Sequence, residues 1–507
     1  MKAPYRALAL LLALSASGSA TPDPLLVQPY LQNPSQTAMS VLWVSRGPSS
    51  ARVTCWHGDT LVARRLVGGH QPATALVYSP WEASEFGNNQ PGYQREVRFN
   101  GLRAGELYRY EVEQDGQIYP GQFRTAPERD RPIRFVAYSD SETEPESRGA
   151  RVHWEDPAHP GKARNYLVDQ DVGYRANLAE IQRTQPDFVV IPGDLVETGG
   201  EQRDWDEFWL CNRQLSRSIP ILGVIGNHEY YGGPNDGRYE EHSSERAVAK
   251  FLTYFRSPPN DQKLKREQGR YFSMEYGPIT LIAIDGCNGL PHQSERDSNW
   301  HLSSNLRPGG DFNPGSAQYA WLEQQLRQAQ KRSRFTFVCF HHCPYSSGLH
   351  AFQPGQREDQ DRQSVIPLRV LTPLFMRYGV DALLCGHDEM MERSEVSGQE
   401  VAPDGTSHPH KLQVYDVGIG GDGLRGPEIG NPWRKFLAHT DSPEVWRDGR
   451  LLEGGKHYGH LQVDVRAVDG RWQATMTPVY LLPIEEGGEW RFERRLYPDS
   501  LILLEGD

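Results

Sequence analysis

The most restrictive feature of this chain is a set of short apolar runs, each ending abruptly in side chains that can bind a cation. The clearest is Ile219-Pro220-Ile221-Leu222-Gly223-Val224-Ile225-Gly226-Asn227-His228-Glu229. An apolar run rich in β-branched residues predicts a buried strand. It stops at a glycine and then offers an amide, an imidazole and a carboxylate. Four more runs close in the same way: Ile133 to Ser139 at Asp140, Phe188 to Pro192 at Gly193-Asp194, Phe335 to Phe340 at His341-His342, and Val380 to Cys385 at Gly386-His387. An aspartate after a strand is commonly a turn former, and a core histidine is commonly just hydrogen-bonded. Five such endings in one domain point instead to convergence, because open α/β sheets gather ligands beyond the carboxyl ends of their strands.

Helical spacing separates these strands: about 174–183, a segment holding Trp205 to Leu210, 317–331 and 368–378. Residues 271–276 and 279–284 predict an antiparallel pair turning at Gly277-Pro278. Such alternation predicts an α/β domain whose sheets are covered by helices. Residues 288–314, 346–364 and 395–450 are rich in Gly, Pro, Asp and Ser and predict loops or insertions around the site. Before residue 127 the pattern is different. Alternating runs such as Met39 to Val44, Arg52 to Trp56, Arg95 to Phe99 and Tyr108 to Val112 predict a separate all-β sandwich. His457 and His460 precede a predicted strand, 461–465, and read as structural.

The chain of 507 residues is long enough for two domains or more. Lys2 and Arg6, an apolar centre from Ala7 to Leu14 and the small residues Gly18-Ser19-Ala20 predict a secretory leader over residues 1–20, and so a secreted or periplasmic protein. No apolar run is long enough for a membrane span. The formal net charge of -12 excludes a nucleic-acid backbone binder and suits metal cations if the acids converge. Six scattered cysteines are not a disulfide framework. Carboxylate, amide and imidazole donors together suit Zn, Fe, Mn or Mg-like ions. A carboxylate shared by two ions holds them about 3.5–4 Å apart, close enough to clamp a phosphoryl group.

Asp140, Gly193-Asp194, Gly226-Asn227-His228-Glu229, His342-Cys343-Pro344 and Gly386-His387 resemble, in order and context, the calcineurin-like metallophosphoesterases. Within them the chain is similar to the purple acid phosphatases. Gln28-Pro29-Tyr30-Leu31-Gln32-Asn33 resembles the start of their N-terminal fibronectin-like domain, Gln318 to Leu322 their late helix, and Glu392-Arg393-Ser394 the run after the final histidine motif. The resemblance implies two β-sheets flanked by helices over residues 128–507, preceded by a fibronectin III-like domain over 21–127. It implies a metal-bound hydroxide that attacks a phosphate monoester, with a phosphodiesterase or nucleotidase as the near alternative and a degenerate binding protein as the distant one.

Roles follow residue by residue. Asp194 would bridge two metal ions. Asn227, His342 and His387 would join it at the second metal, and Asp140 at the first. His228 would contact phosphate and protonate the leaving oxygen, and His350 would be an outer histidine near the substrate. Three departures stand out: Glu389 replaces the second histidine of the final motif, Glu197 replaces a tyrosine, and Glu142 stands two residues after Asp140. The first metal would then be held by Asp140, Asp194 and Glu389 with Glu197 or Glu142, an oxygen-rich site for Fe, Mn, Mg or Ca without the iron-phenolate colour, and the second would be a mixed site for Zn, Mn or Fe.

Overall fold

Strand parity organises the larger part of the molecule. In the strand Phe335–His342, Phe335, Phe337 and Cys339 face one apolar cluster, and Val338 and Phe340 face another. Period-two alternation of this kind needs cover on both sides. The computed structural model describes residues 22–68, 71–156, 159–302, 310–356, 362–401, 405, 407–438, 440–448 and 450–506. The predicted leader lies outside them.

Two seven-stranded sheets pack face to face. The first runs Ile221–Gly223, Phe188–Ile191, Ile133–Ala137, Gly459–Val468, Arg471–Glu486 and Glu489–Leu496, with Leu501–Leu504 also on Arg471–Glu486. Its first three strands are parallel. The second runs Phe272–Tyr276, Ile279–Ala283, Phe335–His342, Ala382–Gly386, Ser407–Val417, Met391–Val401 and Arg434–Leu437. Its centre, Ile279–Ala283 to Ser407–Val417, is parallel. Phe135, Phe188, Phe337, Leu384 and Val463 fill the space between the sheets. The helices Gln170–Thr184, Gln202–Ser216 and Glu241–Tyr254 cover the first sheet with Tyr174, Leu178, Trp205, Phe208 and Val248. The helices Ala317–Arg332 and Thr372–Arg377 cover the second with Leu322, Leu326 and Phe375. Within each sheet the strands that carry the site are parallel, so their carboxyl ends lie along one edge.

The N-terminal strands form two further antiparallel sheets. One holds Leu25–Gln32, Ala38–Ser45 and Tyr93–Asn100; the other holds Thr60–Val67, Ala51–His57, Leu107–Gln114 and Gln117–Arg124. Met39, Val41 and Trp43 meet Val53, Cys55 and Tyr110 between them. A short helix, Pro80–Phe86, opens with a Ser79/Glu82 capping box. The Glu82 carboxylate also accepts the Gln202 and Arg203 N–H groups, both at 2.8 Å, and so caps a helix of the larger part. The Gln32 amide donates to the Ile221 carbonyl at 2.7 Å, fastening this unit to the strand before Asn227.

The structure corrects several expectations. Residues 395–450 are not loop: they hold the long hairpin of Met391–Val401 with Ser407–Val417, and further strands at Arg434–Leu437 and Thr440–Arg447. Polar residues on the solvent face of these antiparallel strands gave them a loop-like composition. The described parts of 288–314 and 346–364 are irregular, as expected. The predicted helix 368–378 is a 3-10 turn, Ile366–Leu371, followed by a short α-helix, Thr372–Arg377, with prolines at both starts. All six cysteines are free. Among the described residues no helix is long and apolar enough to cross a membrane.

Candidate metal centre

Each sheet sends polar residues over its rim at tight turns, and the turns converge. Asp140, Glu142, Asp194, His387 and Glu389 all have φ between 35° and 81°, the left-handed region that non-glycine residues rarely enter. Backbone strain of this kind gathers at functional sites, where the surrounding structure must enforce it. Glu229 does much of the enforcing. Its carboxylate accepts the N–H groups of Gly226 (2.7 Å), Leu195 (2.9 Å) and Asp194 (3.0 Å). The turn after Phe188–Ile191 is thereby locked to the turn after Ile221–Gly223. Gly193 sits between, at φ 97°, where a Cβ would lie 2.5 Å from the His341 ring.

Two groups of donors share Asp194. Asp194, His341 and His387 form one, with ligand atoms all within 4.8 Å of one another; Asp140, Glu142 and Asp194 form the other. In the first, His341 Nε2 is 2.8 Å from Asp194 Oδ2 and 3.2 Å from His387 Nδ1. His341 Nδ1 donates to the Pro192 carbonyl at 2.9 Å, which turns Nε2 toward Asp194. The backbone N–H of His387 donates to the Asp140 carboxylate at 3.0 Å, joining the two sheets. Asn227 is buried nearby. Its Nδ2 donates to Tyr239 Oη at 3.4 Å, and its Oδ1 has no partner.

The histidine in the close group with Asp194 and His387 is His341, and His342, expected from the sequence, lies against His387 beside it. His342 is buried with neither ring nitrogen hydrogen-bonded, its ring 4.1 Å from that of His387. The strand register slips between Cys339 and His342, so the alternation of Phe337 and Cys339 does not carry through to the two histidines. The His350 ring lies against that of His387, tilted by 32°, with centroids 3.8 Å apart.

The oxygen-rich side extends outward. Glu142, Glu389 and Asp422 form a further close group, and Glu142, Glu197 and His228 another. Glu197 therefore stands beside His228 rather than in the Asp140–Asp194 group. Glu389 Oε1 pairs with Arg425 at 2.8 Å, while Oε2 is buried without a partner. Asp422 and Arg425 were not foreseen. They follow the strand Ser407–Val417, and the Asp422 N–H donates to the Asp140 carbonyl at 3.0 Å. Their one sequence signal is position after the last strand of the parallel set.

The electrostatics fit a cation. Burial pushes the Asp140 carboxyl up to about 6, with His341 opposing. Burial pushes Glu389 up to about 8 despite Arg425, and it drives Glu142 well above the carboxylate range, reinforced by Asp422 and Glu389. These carboxylates lack enough positive charge for one another. Burial alone would raise Asp194 too, but His341 and His228 hold it below the usual range. His228 is opposed by burial yet pushed up to about 9 by Asp194 and Glu197. Its Nδ1 donates to the Glu197 carbonyl at 2.5 Å, and its Nε2 stands 3.9 Å from both Asp194 Oδ2 and Glu142 Oε1. Hard oxygen donors on one side, imidazole and amide on the other, and an aspartate common to both are a donor set for two ions. His457, within reach of Glu444 and Tyr166, and His460, on Asn177, lie apart from it.

Residues 152–389 match the model of the calcineurin-like phosphoesterase family. An uncharacterised protein of Mycobacterium tuberculosis is 25% identical over 368 residues, 70% of this chain and 61% of that protein. A probable purple acid phosphatase of Arabidopsis thaliana is 22% identical over 359 residues, 68% of this chain and 66% of its own. An acid phosphatase of Aspergillus ficuum is 24% identical over 259 residues, 40% of this chain and 39% of its own. The chain thus spans about three fifths of the first relative's length. Among solved structures, a purple acid phosphatase from yellow lupin superposes with a TM-score of 0.61 at 16% identity, covering 92% of this chain and 73% of that one. A structure of PhoD superposes with a TM-score of 0.57 at 11% identity, covering 96% and 90%. These two likenesses concern the fold.

Proposed function

From its place as a purple acid phosphatase-like member of the calcineurin-like metallophosphoesterases, we propose that this chain is a secreted dinuclear-metal phosphatase that hydrolyses phosphate monoesters. One observation carries the reading: Asp194 belongs at once to a histidine group and to a carboxylate group. A carboxylate so placed can serve two ions. Asp194, Asn227, His341 and His387 would hold the ion of the mixed site, suited to Zn, Mn or Fe. Asp140, Asp194 and Glu142, with Glu389 and Asp422 behind, would hold the ion of the oxygen-rich site, suited to Fe, Mn, Mg or Ca. Bound cations supply Lewis acidity, spreading phosphoryl charge and making water a stronger acid.

The protein's own groups do the rest. His228 is anchored through Nδ1 on the Glu197 carbonyl, so its Nε2–H points a proton toward the Asp194 side of the site. Asp194 and Glu197 raise its affinity for that proton. It is placed to give that proton to the leaving oxygen, a step worth about 10²–10⁴-fold. His387 is braced by the His350 ring packed against it, a supporting role for His350. We read the N-terminal pair of sheets, residues 21–127, as a fibronectin III-like accessory domain, and residues 1–20 as the leader that directs export.

Elemental analysis together with a phosphate-ester panel tests the proposal. Two metal equivalents, not both zinc, and turnover of monoesters above diesters are expected. Asp194→Asn should lose both metal and turnover. His228→Ala should keep its metal and lose about 10²-fold or more in turnover. A metal-free Asp194→Asn that remains active refutes the reading. A diester preference selects the phosphodiesterase alternative.

A further inference from the structure

Beside His228 the surface opens into a cavity of about 600 Å³. That volume suits a small organic molecule rather than inorganic phosphate alone. Its walls are aromatic and continuous with the acid. Tyr231 follows the single 3-10 turn His228–Tyr230 and donates its N–H to the His228 carbonyl at 3.0 Å, so the turn holds the two residues side by side. Their ring centroids are 6.0 Å apart. The Tyr231 ring is half-buried and lies 5.1 Å from that of Tyr239. Tyr239 is stacked on His301 at 5.5 Å and 16°. Its Oη, which receives the Asn227 and Gln363 amides at 3.4 Å, ties this wall to the metal centre. One guanidinium, Arg238, is outnumbered by two carboxylates, Glu197 and Glu240. That balance disfavours a polyphosphate tail.

Resting on the phosphatase reading, we propose that this cavity is the leaving-group subsite and that it selects phosphate monoesters whose alcohol carries a planar aromatic or heteroaromatic ring. Hydrolysis forms one P–O bond from water and breaks the P–O bond to the leaving alkoxide. His228 hands that alkoxide its proton, and the water releases one to solvent. The group departing past His228 enters the space bounded by Tyr231 and Tyr239. Rings stack on such faces with little regard to their substituents, as bases do on aromatic platforms.

The experiment compares kcat/KM of the metal-loaded enzyme for adenosine 5′-monophosphate and ribose 5-phosphate. Both release a primary alkoxide, and they differ by the base. Phenyl phosphate is the third substrate. The wild type should prefer the nucleotide over ribose 5-phosphate. Tyr231→Ala should reduce that preference roughly tenfold, the size of one lost ring stack, and Tyr231→Phe should retain it. A matching fall for phenyl phosphate marks an aryl pocket, and a fall confined to the nucleotide marks a nucleotide pocket; either supports the subsite. Equal losses on nucleotide and ribose 5-phosphate, or none on either, overturn it and leave the phosphatase reading intact. A wild type that turns over none of the three overturns the phosphatase reading, and the subsite with it.

Discussion

Removing the Glu229 carboxylate should loosen the metal centre without touching a proposed ligand. Glu229 is fully buried and accepts three backbone N–H groups, from Gly226, Leu195 and Asp194. Glu229→Ala leaves all three donors buried without an acceptor. At about 1–3 kcal/mol for each orphaned group the sum is roughly 3–9 kcal/mol, and water entering the cavity would hold it near the lower end. Glu229→Gln is more instructive. Oε2 serves Asp194 and Gly226, and Oε1 serves Leu195. A glutamine oxygen can keep the first two, but its NH₂ then meets the Leu195 N–H, so about one bond, or 1–3 kcal/mol, is lost. Because the Asp194 turn sits at a strained φ of 51°, slackening it should also weaken metal binding by about 10–100-fold, the usual effect of a lost supporting group. Urea unfolding followed by near-UV circular dichroism, with metal titration of each variant, measures both. If Glu229→Ala unfolds with the wild type, or if alanine and glutamine are equally damaging, the three-donor account is wrong.

Two further outcomes follow from the geometry. His341→Ala should strip metal from the mixed site and abolish turnover; elemental analysis beside His342→Ala decides between the adjacent histidines, and metal kept by His341→Ala but lost by His342→Ala would reject the assignment to His341. His460 provides a pH test remote from the centre. Burial pushes its imidazole down to about 3, while in the unfolded chain it titrates near 6.5. Between those values the unfolded chain holds the extra proton, so stability is intact above about pH 6.5 and falls on acidification at up to about 1.4 kcal/mol per pH unit. His460→Gln should flatten that slope in urea titrations from about pH 7 to about pH 4, and parallel slopes would count against it.

The residues that were legible in the sequence are those whose strand announces itself. Asp140, Asp194, Asn227 and His387 follow runs that are apolar on both faces, and the structure places Asp140, Asp194 and His387 in close donor groups. Such runs belong to parallel strands buried between layers, so their ends stand out. Which of the adjacent His341 and His342 turns toward Asp194 was not legible, because the strand register slips between Cys339 and His342. Asp422 and Arg425 were hidden for another reason. They follow Ser407–Val417, part of a hairpin whose exposed face is polar, so the strand itself read as loop. The C-terminal strands from Gly459 to Leu504 were mostly missed on the same ground: half-buried antiparallel strands carry little continuous apolar signal. The cavity wall of Tyr231 and Tyr239 had no linear signature, because it depends on a single short turn after His228.

The strand that delivers Asp140 finds its neighbour late. Ile133–Ala137 is flanked on one side by Phe188–Ile191 and on the other by Gly459–Val468. Arg134 pairs there with Asp464, 330 positions downstream. A ribosome must therefore finish almost the whole polypeptide before that sheet can close. A premature stop between residue 389 and Gly459 would spare every proposed ligand from the family-matched segment and still leave a raw sheet edge beside Asp140, so such products should be sticky and inert rather than merely shorter.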